Sequence, residues 1–96
     1  MLTSKQRAYL RSLGNELEPI VQVGKGGLSP NLITQVDEAL EARELLKVRV
    51  LKNALADVRD VAEELAEETD ADVVQVIGNI IMLYREASKD PQIILP

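Results

Sequence analysis

The stretch Val23-Gly24-Lys25-Gly26-Gly27-Leu28-Ser29-Pro30 leaves this chain the fewest folding options. An apolar run, Ile20 to Val23, ends there, and three of the chain's five glycines fall in four consecutive positions. Ser29 is a good helix N-cap, and Pro30 suits a first helical position. Strand, tight turn and helix is the order these residues predict. Residues without a β-carbon adopt positive φ and let backbone N–H groups come close to an anion. The helix behind the turn aims the positive end of its dipole at the same point. A phosphate backbone is the expected ligand of Gly24, Lys25, Gly26 and Gly27.

The flanking segments read in the same way. Thr3 and Gln6 form a capping-box pattern, opening a helix that stops near Gly14-Asn15. Leu2, Gln6, Tyr9, Leu10 and Leu13 share its inner side, with Arg7 and Arg11 on the outward face. From Ser29 a second helix carries Leu32, Ile33, Val36, Ala39 and Leu40 inward to about Arg43, with Asp37, Glu38 and Glu41 toward water. Leu45 to Val50 alternates, placing Leu46, Val48 and Val50 on a buried face and Lys47 and Arg49 on a cationic one.

Lys52 to Ala56 is a connection, and a third helix runs from about Asp57 to Thr69. Val58, Val61, Ala62, Leu65 and Ala66 line its core side. Asp57, Asp60, Glu63, Glu64, Glu67 and Glu68 cover the other arc, which would repel phosphate. Two strand-like runs, Val73 to Ile77 and Ile80 to Tyr84, flank Gly78-Asn79 and read as a hairpin. Residues 86–96 form a tail whose Ile93-Ile94-Leu95 is a candidate for docking on a sheet edge. The expected fold is α/β, of two-layer type, in the order α-β-α-β-α-β-β with a four-stranded mixed sheet.

Composition excludes much chemistry. With no His and no Cys among the 96 residues, Ser/His/Asp and Cys/His catalysis and Cys- or His-based zinc sites are out. No catalytic residue, metal or cofactor is expected. There is no run of about 20 apolar residues to span a membrane. The first five residues show no signal peptide, and with no cysteine a cytoplasmic location is expected; a monomer is the expected state.

The net charge of −5 speaks against nucleic acid until its distribution is considered. Residues 1–52 hold eight basic side chains against six acidic ones, whereas residues 53–96 hold three against ten. One face can therefore attract phosphate while another repels it. Lys47, Arg49 and Lys52 extend a possible track from the loop, with Arg7 and Arg11 joining if the first helix packs nearby. The loop matches neither the P-loop nor the dinucleotide pattern. It does match Gly-x-x-Gly, which KH-type modules use to clamp RNA backbone, although a glycine turn needed for geometry alone would read the same.

Several ordered motifs together are more specific. Residues 23–29, Glu44 to Val50, Val74-Gln75-Val76-Ile77-Gly78, Leu83-Tyr84-Arg85 and the ending Ile93-Ile94-Leu95-Pro96 resemble the CRM domain family (chloroplast RNA splicing and ribosome maturation) in its stand-alone bacterial form. The likeness covers essentially residues 1–96. It implies a single RNA-binding domain, similar in fold to the C-terminal domain of translation initiation factor three, that associates with precursors of the large ribosomal subunit. Ribosomal RNA is the partner so implied, with ribosomal proteins beside it. The family's loop falls on Gly24, Lys25, Gly26 and Gly27 and its basic strand on Lys47 and Arg49. At Asn79 relatives often carry a basic residue. The rival reading is a protein-interaction module that offers the acidic third helix to a basic ribosomal partner.

Overall fold

The computed structural model describes residues 1–54 and 56–96; of the Lys52–Ala56 connection, Leu55 lies outside the described residues. Along the chain, α1 covers Ser4–Gly14, β1 Val21–Val23, α2 Pro30–Arg43, β2 Leu45–Val50, α3 Val58–Thr69, β3 Asp72–Ile77 and β4 Ile80–Tyr84. This is the order the sequence predicts. The helix starts coincide with their capping residues. Thr3 accepts from Gln6 N while Gln6 reaches back to Thr3 N, Ser29 accepts from Leu32 N, and Asp57 accepts from Arg59 N. Thr3→Ala should cost about 0.5–2 kcal/mol by removing one of these caps, which a thermal melt will read.

The sheet order is β1-β2-β4-β3. β1 and β2 pair in parallel through α2, as a strand–helix–strand unit should. The second such unit, β2-α3-β3, is split, because β4 lies between its strands and pairs antiparallel with both. A short Gly78-Asn79 turn returns the chain antiparallel beside β3, and β4 fills the slot next to β2. The turn is anchored across the sheet: Val50 N donates to Asn79 O, and Asn79 Nδ2 donates to Val50 O.

One face of the sheet carries the main core. Val21, Val23, Leu46, Val48, Val50, Ile81 and Leu83 pack there against Val36 and Leu40 of α2 and Val61, Ala62 and Leu65 of α3. These are the positions the period-2 and period-3.6 patterns place inward. The other face holds a smaller cluster in which Leu10 of α1 packs on Leu45, Val74, Met82 and Tyr84. The chain therefore has the expected two layers plus a partial third made by α1 and the tail. Val73 and Val74 point to opposite faces, Val73 to the main core and Val74 toward α1, and a β-bulge between Val73 and Gln75 then turns Gln75 to the same face as Val74. Strict alternation from Val73 would have assigned Gln75 to the main core.

Three expectations are corrected. Tyr9 and Leu13 are exposed, not inner, residues of α1; the helix buries only its Leu10 and Gly14 side. Arg7 does not face outward, since its guanidinium donates to the carbonyls of Val73 and Val74. Asp37 and Glu41 are not merely solvated. Arg85 donates to Asp37 Oδ1, to Asp37 O and to Thr69 O, tying α2 to the end of α3, and Glu41 accepts from Ser88 N, Ser88 Oγ and Lys89 N.

The tail docks on the sheet's second face rather than on an edge. Ile93 and Leu95 pack into the Leu10–Tyr84 cluster, and Gln6 Nε2 donates to Pro96 O. Its anchor is Glu44, the residue that ends α2. This side chain is 3 % exposed, and its carboxylate accepts from Ala87 N, Gln92 N and Ile93 N at 2.8–3.0 Å. Burial pushes the Glu44 carboxyl up, but the three N–H donors outweigh that and hold it below the ordinary value.

Candidate nucleic-acid interface

The strand registers bring three connections to one end of the sheet. Val23 pairs with Val50, and Arg49 with Ile80, so the glycine loop after β1, the connection after β2 and the β3–β4 turn lie together. The glycine loop is a closed turn in which Gly27 N donates to Gly24 O at 3.0 Å. Gly27 has φ +66°, a conformation that costs a residue with a β-carbon about 1–2 kcal/mol. Gly24 lies against the next connection, where an added β-carbon would meet Leu51 at 3.6 Å and Asn53 Oδ1 at 4.0 Å. A β-carbon on Gly26 would meet nothing within 4 Å. Among the described residues, the N–H groups of Lys25 and Gly26 meet no acceptor, and Lys25 itself is exposed.

Directly behind the turn, α2 begins at Pro30 with no acidic residue in its first turn. Open N–H groups, a lysine and a helix N-terminus without carboxylates make an electropositive corner that suits a phosphate oxygen. Lys52 is exposed on the neighbouring connection and belongs to the same corner. Asp57 and Asp60 begin α3 on the other side of that connection and set its limit.

Lys47 and Arg49 occupy a different aspect. They point to the face opposite α2 and α3, and both are half-buried rather than fully exposed. Arg49 shares a cross-strand row with Gln22 and Ile80, and Lys47 one with Met82 and Gln75. The strand's cations thus continue from the loop around the β1 edge onto the sheet face. Arg11 is half-buried in the last turn of α1, where a cation suits the helix C-terminus. Arg7 is committed to the β3 carbonyls, and β3 is the edge strand farthest from β1.

Asn79, where a basic residue was a family expectation, is occupied by its bonds to Val50. Tyr84 is 5 % exposed; burial, together with nearby Glu44, pushes its hydroxyl above the ordinary value, and it offers no face for stacking. The sequence reading gave no separate role to Gln75, Ile77 and Ile80 beyond the hairpin. With Lys47 and Met82 they line a shallow hollow on the same face. Only the bulge aims Gln75 there, and periodicity does not signal it. Among the described residues there is no cluster of carboxylates suited to a metal ion and no helix long and apolar enough to cross a membrane.

The model of the CRS1 / YhbY (CRM) domain matches residues 2–85. The chain belongs to that family. It is 54 % identical over 96 residues to the Bacillus subtilis protein named probable RNA-binding protein YqeI, covering 100 % of both. It is 35 % identical over 95 residues to a Haemophilus influenzae protein named RNA-binding protein, covering 99 % of this chain and 95 % of the other. The solution structure of the hypothetical Staphylococcus aureus protein SAV1595 superposes with a TM-score of 0.83 at 51 % identity, covering 100 % of both chains. The mixed four-stranded fold described above is thus also that of a solved relative.

Proposed function

We propose that this CRM-family protein is an RNA-binding protein that acts without catalysis in assembly of the large ribosomal subunit, with residues 1–96 working as one RNA-binding unit. The observation that carries the reading is the Gly24–Gly27 turn, whose open N–H groups, exposed lysine and following helix N-terminus converge on one point. The names of the relatives supply RNA as the polymer, and the family resemblance of the sequence supplies the ribosomal precursor. Gly24, Lys25, Gly26 and Gly27 hold a backbone phosphate, with Lys52 beside it. Lys47 and Arg49 continue the track across the sheet face, while Arg11 stands at its margin. Arg7 drops out, because its Nη1 is held by the carbonyls of β3, the edge strand farthest from β1.

Four neutralised phosphates would make log K fall with log salt at a slope of roughly −3 on single-stranded RNA. In a Lys47→Ala/Arg49→Ala double variant the slope should flatten by about 1.4, measured by filter binding across a salt series. A slope that stays put would remove the strand from the track. The cellular role is tested by sedimentation of a lysate: the protein should travel with large-subunit precursors and leave those fractions when the loop is mutated. Migration at the top of the gradient would overturn the ribosomal assignment.

A further inference from the structure

The sheet's second face is only half covered. α1 and the tail lie over Leu45, Val74, Tyr84 and most of Met82. Beyond them Lys47, Gln75, Ile77, Ile80 and the edge of Met82 line an open hollow of about 180 Å³. Ile77 is 63 % exposed within a strand. The hollow is smaller than the roughly 300–1,000 Å³ of pockets that enclose whole small-molecule ligands, so a substrate cleft is a poor description of it.

Charge and shape say what would cover it. The floor is aliphatic (Ile77, Ile80, Met82), one rim is cationic (Lys47, with Arg49 in the next row), and a single amide, Gln75, stands beside them. No carboxylate occurs in the two cross-strand rows that form this surface; Asp72, the acidic residue of β3, pairs with Tyr84 at the far end. A flat uncharged ring on the floor, a phosphate on the rim and a polar ring edge toward the amide together describe a nucleotide. We propose that this uncovered half of the sheet seats one unpaired nucleotide of the bound RNA, its base on Ile77 and Ile80 and its phosphate against Lys47 and Arg49. The inference rests on the RNA-binding reading above. It deepens that reading by specifying the kind of RNA, because a base inside an A-form duplex cannot leave its stack to reach the hollow without unpairing. The preferred ligand then has backbone for the glycine loop and an unstacked base next to it.

The test uses the full chain and two fluorescent probes: a short oligouridylate single strand and a blunt RNA duplex of equal length. Ile77→Ala/Ile80→Ala should weaken single-strand binding roughly fivefold to tenfold through lost apolar contact, no more than the low end of what losing an aromatic stacking side chain does. Binding of the duplex should stay unchanged. Should the double variant melt early, Ile77→Ala alone, at a largely exposed position, serves the same comparison with a smaller expected loss. Equal losses on both probes, or no loss on the single strand, overturn the subsite. So does concentration-dependent self-association that Ile77→Glu abolishes while RNA affinity is kept, since the occupant would then be a second copy. If the unmodified protein binds neither probe, the RNA-binding reading falls with it. If it binds and the variants match it, only the subsite falls.

Discussion

Replacing Gly26 by aspartate is expected to lower RNA affinity roughly fivefold to 150-fold and to leave the thermal melt where it was. The binding loss follows from charge. A carboxylate about 5 Å from a phosphate costs about 1 kcal/mol in a water-like dielectric and about 3 kcal/mol where the contact is partly desolvated, which are the two ends of that range. The intact fold follows from space, since a β-carbon at Gly26 meets nothing within 4 Å and its φ is not positive. Gly27 would not serve, because at φ +66° any side chain strains the turn itself and confuses folding with binding. The control is Gly26→Lys, with the same open position and the opposite charge. Lysine should hold or raise affinity where aspartate lowers it. Equal losses from both would mean that bulk, not charge, closes the site, and equal silence from both would take the loop out of the interface.

How the charges are segregated makes that outcome compatible with an acidic protein. The exposed Asp60, Glu63, Glu64, Glu67 and Glu68 lie on α3, which packs on the sheet face opposite Lys47 and Arg49. At physiological ionic strength the screening length is about 8 Å. A sheet with a helix layer on it is thicker than that, so the acidic arc hardly weakens the cationic aspect and instead limits how the protein can lie on a polyanion. The same geometry disfavours the third helix as a partner for RNA.

Sequence periodicity reports the face of an element, and that is what it recovered here. The starts of α1, α2 and α3, the buried Leu46-Val48-Val50 side of β2 and the Gly78-Asn79 turn were all legible, because each depends on residues within a few positions of one another. What lay beyond reach depends on groups from distant parts of the chain. Arg7 looks outward on a helical wheel until the β3 carbonyls, more than sixty positions later in sequence, arrive beside it. Asp37 and Glu41 look solvated until Arg85 and Ser88 reach them. The bulge at Val74 shifts the phase of β3 and so exposes Gln75 to the hollow, although no residue type there announces it. Glu44 was visible only as the first residue of a family motif, and its task depends on three N–H groups of the tail.

Glu44→Ala is expected to release the tail and cost about 3 kcal/mol. One buried and two partly buried N–H groups lose a charged acceptor, and bonds of that kind are worth about 1.5–3 kcal/mol each. The sum is capped because the segment can swing into water, where its N–H groups are satisfied and only the packing of Ile93 and Leu95 is given up. Glu44→Gly sharpens the result. Glu44 has φ +68° and ψ −37°, outside the regions that residues with a β-carbon favour and costing about 1–3 kcal/mol, so glycine relieves strain while deleting the carboxylate. A Glu44→Gly protein that still melts lower than the parent shows that the side chain outweighs the strain it imposes.

The same group sets a pH dependence. The folded pKa values of Glu44 and Glu41 both lie below the ordinary 4.5, so their stabilisation is complete above that value and is lost as pH falls through the lowered ones. Trypsin cleavage at exposed Lys89, assayed at neutral pH, should be slow in the parent and fast in Glu44→Ala. Tail signals followed by NMR should stay native down to about pH 4.5 and move to free positions only in stronger acid. A tail that is already free at neutral pH in the parent, or a Glu44→Ala variant that keeps the parent's melt and cleavage rate, would show that Glu44 does not hold it.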